Sequence, residues 1–333
     1  MPVEYYVRQS PEYSHELDAL LNLAQAMQHA FTTVEPTYLL AANVRYWNTQ
    51  ADAVLFAPHA IVLLELKSCS VPIRGDANGM WRTMPDGATI HGGSRLNPYQ
   101  QVVATREALI KYLDRNRRRF LDERRSRGTA HQWGHVSAAI TISPFLHPKS
   151  EIVLPPESRA WLRVLGLNEV VAYLFSRVSP QIDLLPQEMR RIAETLGCRR
   201  WTELEALLPP TVNYGHLWLL DEAGQRTYAF PIVDAATLGR SRDRSLVVPR
   251  QFSRTSGHHA YLRLVGDIVW LHDDSSTNGT FVDGQLVLRD GQPLGDGADI
   301  WLGDIGHAET CHLHFERYPH LTGTADSTAG TKS

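Results

Sequence analysis

The stretch ADAVLFAPHAIVLLELKS, residues 51–68, decides the fold of the first half of the chain. Its two runs, Ala51 to Ala57 and Ile61 to Lys67, are built from β-branched and other apolar residues and meet at Pro58-His59, which predicts two strands joined by a tight corner. Both runs are apolar on both faces, so the pair belongs in the middle of a covered sheet. Charged residues there need a reason. A chain that reverses symmetrically about Pro58-His59 sets Asp52 opposite Glu65, and opposed residues share a face at about 5 Å between Cβ atoms. Strand alternation then puts Lys67 on the face that carries Glu65.

Two carboxylates on an apolar sheet repel each other and lose hydration, a costly arrangement unless a cation or protons compensate. A hard divalent ion suits the pair, because Mg²⁺ is commonly held by one or two carboxylates with water and phosphate oxygens completing its shell. A neighbouring lysine can orient a water or balance charge that develops on a phosphate. Spacing alone leaves a second reading open, in which Glu65 and Lys67 form an ion pair at a sheet end and Asp52 merely begins a strand.

Outward from this pair, SHELDALLNLAQAMQHA (14–30) has Leu17, Leu20, Leu21, Ala24 and Met27 at helical spacing, and Tyr38 to Tyr46 reads as a strand. Asn97-Pro98-Tyr99 opens a helix over Gln100 to Leu113, and Val136 to Ile142 is a buried strand. Residues 157–208 carry helical signals broken by Pro180, Pro186 and Gly197, which predicts a helical extension of an α/β domain spanning 1–210.

Asp52 followed thirteen residues on by Glu65-Leu66-Lys67 resembles the D…ExK signature of PD-(D/E)xK nucleases, in particular the nuclease-related domain called NERD. The strand pair, Trp81 and the NPYQQ helix start (97–101) are similar to that family's pattern over roughly residues 10–205. The resemblance implies a restriction-endonuclease-like α/β fold and phosphodiester hydrolysis on DNA, or RNA. It further implies Mg²⁺ (or Mn²⁺) held by Asp52 and Glu65, Lys67 as the catalytic lysine and Gln101 lining the site. The family's first-helix carboxylate falls on Glu16, with Glu12 as the other candidate. Ala60 stands where the family's turn glycine is expected.

The character changes at Pro209-Pro210. Short alternating runs now follow one another between the turns EAGQ, VGD, TNG, VDG, LRDG and LGDG, the pattern of an all-β sandwich over 211–318. The prolines predict a flexible joint near Leu208 to Tyr214. The blocks TLGRSRDRSLVVP, SRTSGHHAYL, HDDSSTNGTFVDG and GDGADIWLG resemble a forkhead-associated (FHA) domain. That resemblance implies an eleven-strand sandwich whose loops bind phosphothreonine. Arg240 would contact the phosphate, with Ser241 beside it and a hydroxyl from the next loop, and Thr277 and Asn278 would hold the peptide. Ser256 keeps the family's spacing to His259, whereas Ser253 precedes an arginine and is the alternative. A guanidinium fork with a hydroxyl fits phosphate.

The 333 residues hold 33 Lys and Arg against 36 Asp and Glu, a formal net charge of −3, so contact with a nucleic-acid backbone requires a local patch. DRNRRRFLDERRSRG (114–128) is such a patch, although Asp114, Asp122 and Glu123 neutralise part of it. Three separated cysteines predict neither a disulfide framework nor a zinc site, and Cys311-His312-Leu313-His314 alternates its side chains across a strand. No apolar run reaches the roughly 18–20 residues that span a bilayer, so a cytoplasmic protein without membrane contact is expected. The tail 319–333 is small and polar and is expected to be disordered. Together these readings predict a Mg-dependent nuclease-like DNA-processing protein recruited to threonine-phosphorylated partners. The competing reading is a phosphorylation-dependent adaptor with an inactive nuclease fold.

Overall fold

The computed structural model describes residues 3–11, 14–31, 37–84, 86–127, 132–208, 214–233 and 235–318. In the first half β1 (Val3–Val7), α1 (Ser14–Phe31), β2 (Tyr38–Tyr46), β3 (Thr49–Ala57) and β4 (Ala60–Ser68) come first. The small strands β5 (Ile73–Asp76), β6 (Trp81–Thr83) and β7 (Thr89–Ile90) follow, then α2 (Pro98–Asn116), α3 (Glu123–Arg127), β8 (Ser137–Ser143) and β9 (Glu151–Val153). The run ends with β10 (Leu162–Gly166), α4 (Leu167–Ser176), α5 (Pro186–Thr195), β11 (Arg199–Arg200) and α6 (Thr202–Leu207).

The β3–β4 hairpin lies inside a seven-stranded sheet of order β10-β8-β4-β3-β2-β1-β11. Ile61 and Leu63 point into one hydrophobic core and Val62 and Leu64 into the other, which is why neither strand alternates with polar residues. The first core is closed by Val102, Leu109 and Leu113 on one stripe of α2, and the second by α1 and α4. β4 runs parallel to β8, with Lys67 level with Ile142, and β8 parallel to β10, with Ile142 level with Gly166. At the usual strand spacing, the start of α4 thus lies about 10 Å from the backbone of Lys67 at the same end of the sheet.

The helical extension expected over 157–208 needs correction. Leu162–Gly166 is not helical but forms the edge strand β10, and Arg199–Arg200 adds β11 at the opposite edge. Only α4, α5, α6 and a short 3-10 turn at Pro156–Ala160 keep the helical reading. The physical reason is that a short apolar run such as WLRVL has no distinguishing period, and pairing with β8 satisfies its backbone groups. Val3–Val7, to which the sequence reading assigned no element, is the strand between β2 and β11.

In the second half β12 (Gly215–Leu220), β13 (Arg226–Ile232), β14 (Ala236–Gly239), β15 (Leu246–Val247), β16 (Ala260–Val265) and β17 (Ile268–Asp273) lead to β18 (Thr280–Val282) and β19 (Gln285–Leu286). β20 (Gln292–Pro293), β21 (Asp299–Leu302) and β22 (Cys311–Arg317) complete it. They form sheets of order β13-β12-β22-β21-β18-β19 and β15-β14-β16-β17-β20, packed over a core that includes Leu217, Phe230, Leu262, Leu271, Ile300 and Phe315. The turn between β18 and β19 is Asp283-Gly284, both at positive φ (50° and 80°), the backbone that a two-residue hairpin of matching twist requires. Pro209-Pro210, most of the expected joint and the tail 319–333 lie outside the described residues.

Candidate functional site

The hairpin register places Ala53 opposite Leu64 and Ala57 opposite Ala60, and the ladder stops there. One position further, the Asp52 carboxylate replaces the missing backbone partner: its Oδ2 accepts the amide of Leu66 at 2.7 Å. Glu65 projects beside it, only 3% exposed, and its Oε1 accepts from Lys67 Nζ at 2.8 Å. Its second oxygen, Oε2, is buried without a hydrogen-bond partner. The three residues therefore converge as the spacing predicts, and the Glu65–Lys67 ion pair of the plainer reading is present within the same cluster.

Burial and the neighbouring Asp52 push Glu65 up to about 7, against the opposing pull of Lys67. Burial also raises the Asp52 carboxyl, while Lys67 and the Leu66 amide oppose it. On Lys67 burial works to lower the ammonium's pKa, but attraction to Glu65 and Asp52, with a smaller pull from Glu16, holds it above the ordinary value. One ammonium facing two desolvated carboxylates leaves a deficit of positive charge. An orphaned carboxylate oxygen beside a second carboxylate fits a hard divalent cation with oxygen ligands, most of them water or substrate. Among the described residues no group of three or more His, Cys, Asp or Glu side chains is disposed to hold a metal.

Glu16 lies in the first turn of α1 and lines a small cleft with Asn43 and Gln50 on β2 and β3. Glu12 lies outside the described residues. Gln101 is in the first turn of α2, its amide against Gly93, and no hydrogen bond among the described residues links it to Asp52, Glu65 or Lys67. The NPYQQ block has a clear local role: Asn97, fully buried, caps α2 by accepting from Gln100 N at 2.8 Å and donates to Gly79 O at 2.7 Å. Trp81 packs so closely on Gly75 that a Cβ there would sit 2.5 Å from its ring. The arginine run begins where α2 ends. Its first arginine, Arg115, lies 5.2 Å over the ring of Trp47, in the β2–β3 turn at the same end of the sheet as Lys67. Arg117 pairs with Asp114 at 2.6 Å and Arg125 with Glu188 at 3.0 Å, whereas Arg115, Arg118, Arg119 and Arg124 are exposed.

The second site is made by backbone pairing between loops. Arg240 N donates to Ser256 O and Ser241 N to Gly257 O, both at 3.0 Å, and a Cβ on Gly239 would lie 2.1 Å from Gly257 O. Only glycine permits that approach. The Arg240 Nε donates to Thr255 O, which aims the guanidinium along the next loop. Ser256 Oγ accepts from Thr277 N at 3.0 Å, and Asn278 Nδ2 donates to Arg254 O at 2.7 Å. His259 is fully buried: its Nδ1 accepts from Ser256 N at 2.8 Å, and Nε2 faces Gly279 O at 3.0 Å, the pattern of a neutral ring protonated on Nε2. Burial lowers its pKa in the same sense. Arg240, Ser241, Ser256, Thr277 and Asn278 thus meet on one edge, whereas Ser253 bonds to Glu309 instead.

Sequence reasoning missed the side-chain contacts between the halves. Asn168 Nδ2, at the start of α4, donates to the carbonyls of Arg242 (2.9 Å) and Arg244 (2.6 Å), in the loop that carries Arg240. Glu169 lies 3.7 Å from Arg242 Nε. No signal in the sequence links partners so far apart in the chain.

Family models match the chain twice, in the order the motifs suggested: the nuclease-related domain (NERD) over residues 13–132 and the FHA domain over 236–303. The chain therefore carries an N-terminal nuclease-related α/β domain followed by a C-terminal FHA β-sandwich. Solved structures similar to it include an FHA domain from a study of phosphothreonine-dependent FHA interactions, 26% identical, covering 32% of this chain and 98% of that one at a TM-score of 0.27. The N-terminal FHA domain of Rad53p from S. cerevisiae, solved with a phosphothreonine peptide, is 21% identical over 32% of this chain and 94% of that one, with a TM-score of 0.28. None of the curated proteins matches the chain. Among the described residues no helix is long and apolar enough to cross a membrane.

Proposed function

We propose that this protein is a divalent-metal-dependent nuclease acting on DNA, brought to its place of action by a threonine-phosphorylated partner that its FHA domain binds. The observation that carries the reading is the orphaned Glu65 Oε2 between Asp52 and Lys67 in a nuclease-related domain. Asp52 and Glu65 would hold Mg²⁺ or Mn²⁺, which supplies charge neutralisation and an activated water when bound. The Leu66 amide fixes Asp52, and the buried ion pair holds Lys67 on the face where a phosphate would lie. There its ammonium offsets charge that builds on the phosphate oxygens, an effect strengthened by the low local dielectric. The exposed arginines beyond α2 suit a phosphodiester backbone that extends past the site.

In the FHA domain the terminal guanidinium nitrogens of Arg240 and the Ser256 hydroxyl, which the Thr277 amide holds in place, offer donors that suit a phosphomonoester, and Asn278, fixed by its bond to Arg254 O, would meet an extended peptide's backbone. The match of residues 236–303 to the FHA family supports the same reading. The test is cleavage of circular and linear DNA with and without Mg²⁺, together with binding of matched phosphorylated and unphosphorylated threonine peptides. Metal-dependent cleavage that disappears in Asp52→Ala and Glu65→Ala is expected. Absence of cleavage on every substrate, with phosphopeptide binding retained, would make the protein an adaptor.

A further inference from the structure

A cavity of about 460 Å³ lies between the two domains, and its charge is one-sided. Arg163 on β10 and Arg177 after α4 line it from the nuclease side, and Arg240, Arg242 and Arg250 line it from the FHA side. Among the described lining residues the single carboxylate is Glu169, and it is already engaged: its Oε2 accepts Gly166 N at 2.8 Å and its Oε1 faces Arg242. The Arg177 Nε is buried without a hydrogen-bond partner, its guanidinium lying 4.9 Å over the ring of Tyr173. Leu165, Phe230, Val248 and Pro249 add apolar wall, with Thr227 and Tyr228 beside them. Arg163 Nη1 donates to the carbonyls of Arg159 and Leu162, and Arg240 Nε to Thr255 O, yet five guanidinium groups against one carboxylate leave the cavity positive, which suits an anion with carbon beside it on the apolar wall.

Arg240 indicates which anion. Its side chain lines this cavity and also takes part in the loop edge that gathers Ser256, Thr277 and Asn278, so one guanidinium adjoins both. We infer that the interdomain cleft reads the residues flanking the phosphothreonine, selecting a peptide with Asp or Glu close to the phosphorylated residue, and that the nuclease domain supplies part of this specificity through Arg163 and Arg177. The inference rests on the phosphothreonine reading of the FHA loops and extends it to a composite site that neither domain possesses alone. The Asn168 bonds to the Arg242 and Arg244 carbonyls hold the two walls together and pre-organise the cleft.

The test uses the full chain and labelled phosphothreonine peptides in which Asp replaces Ala at one flanking position at a time, read by fluorescence anisotropy. At one or two positions Asp should tighten binding about tenfold over the all-Ala flank, the effect of one well-placed ion pair in a partly desolvated cleft. Arg163→Ala and Arg250→Ala should remove most of that gain and leave the all-Ala phosphopeptide within about twofold of the parent. Arg163→Glu should exchange the preference from Asp to Lys, an inversion that general loosening of the fold cannot produce. Phospho-dependence retained with no acid preference, or an acid preference indifferent to both arginines, overturns this inference alone. Loss of phospho-dependence overturns it together with the function on which it rests. A short oligonucleotide that displaces the acidic peptide from the parent chain but not from Arg163→Ala would assign the cleft to nucleic acid and overturn it as well.

Discussion

The two candidate sites are electrostatic opposites. In the nuclease-related domain two desolvated carboxylates face one ammonium, one carboxylate oxygen has no hydrogen-bond partner, and regular strands do the positioning, with a single backbone amide, that of Leu66, holding Asp52. In the FHA domain backbone hydrogen bonds tie Arg240, Ser256 and Thr277 into place on loops, and the charge left over is positive. In the first site the excess negative charge is desolvated and unfavourable; in the second the Arg240 guanidinium remains partly solvated and its charge costs little. Ligand binding should therefore relieve strain in the first and fill a preformed cradle in the second.

The largest expected effect tests the first half of that contrast. Asp52→Ala, Glu65→Ala and Lys67→Ala should each lower Mg²⁺-dependent cleavage of plasmid DNA by about a thousandfold or more. Asp52→Ala and Glu65→Ala should also weaken metal binding measured by calorimetry, whereas Lys67→Ala should not, since an ammonium cannot be a ligand. Cleavage that survives all three variants would sink the site. Next in size, Arg240→Ala should weaken a phosphothreonine peptide about 100-fold in anisotropy titrations, with Arg240→Lys recovering only part, because a point charge does not reproduce the planar fork. Equal binding of phosphorylated and unphosphorylated peptides would reject the cradle.

A pH effect tests the region between the halves. Burial pushes His216 on β12 down to about 4, with the Ala30 carbonyl of α1 and the charge of Glu316 pulling weakly upward. Its folded pKa lies below the ordinary 6.5, so the folded state favours the neutral ring. The associated stability is present above pH 6.5 and is lost as the pH falls from there toward 4. Denaturant melts should show a loss of about 2–3 kcal/mol over that window, smaller in His216→Phe. A parent and variant with the same acid slope would exclude His216 as the cause. Smaller again, Ser256→Ala should cost about 1–2 kcal/mol of peptide binding and Ser253→Ala nothing measurable; the reverse result would move the phosphate loop by three residues. The smallest effect returns to stored strain. Glu65→Gln should raise the metal-free protein's stability by about 1 kcal/mol, while Arg240→Gln leaves it nearly unchanged. A destabilised Glu65→Gln would mean that the Lys67 ion pair outweighs the repulsion.

Much of this was legible in the chain itself. Apolar runs meeting at Pro58-His59 pointed to a buried hairpin, and the symmetry of the turn set Asp52, Glu65 and Lys67 on one face, because strand period and register follow from the turn. The turn residues of the second half likewise pointed to the sandwich, and the resemblance of four loop blocks to an FHA domain implied the group around Arg240. Tertiary structure alone decided the rest. Leu162–Gly166 became an edge strand because β8 offered it a partner, which no local period announces. Arg163, Arg177 and Asn168 gained their place beside the phosphate loop only when the domains packed. Local sequence encodes backbone preference and face, whereas a contact between distant residues exists only once the intervening chain has chosen its path.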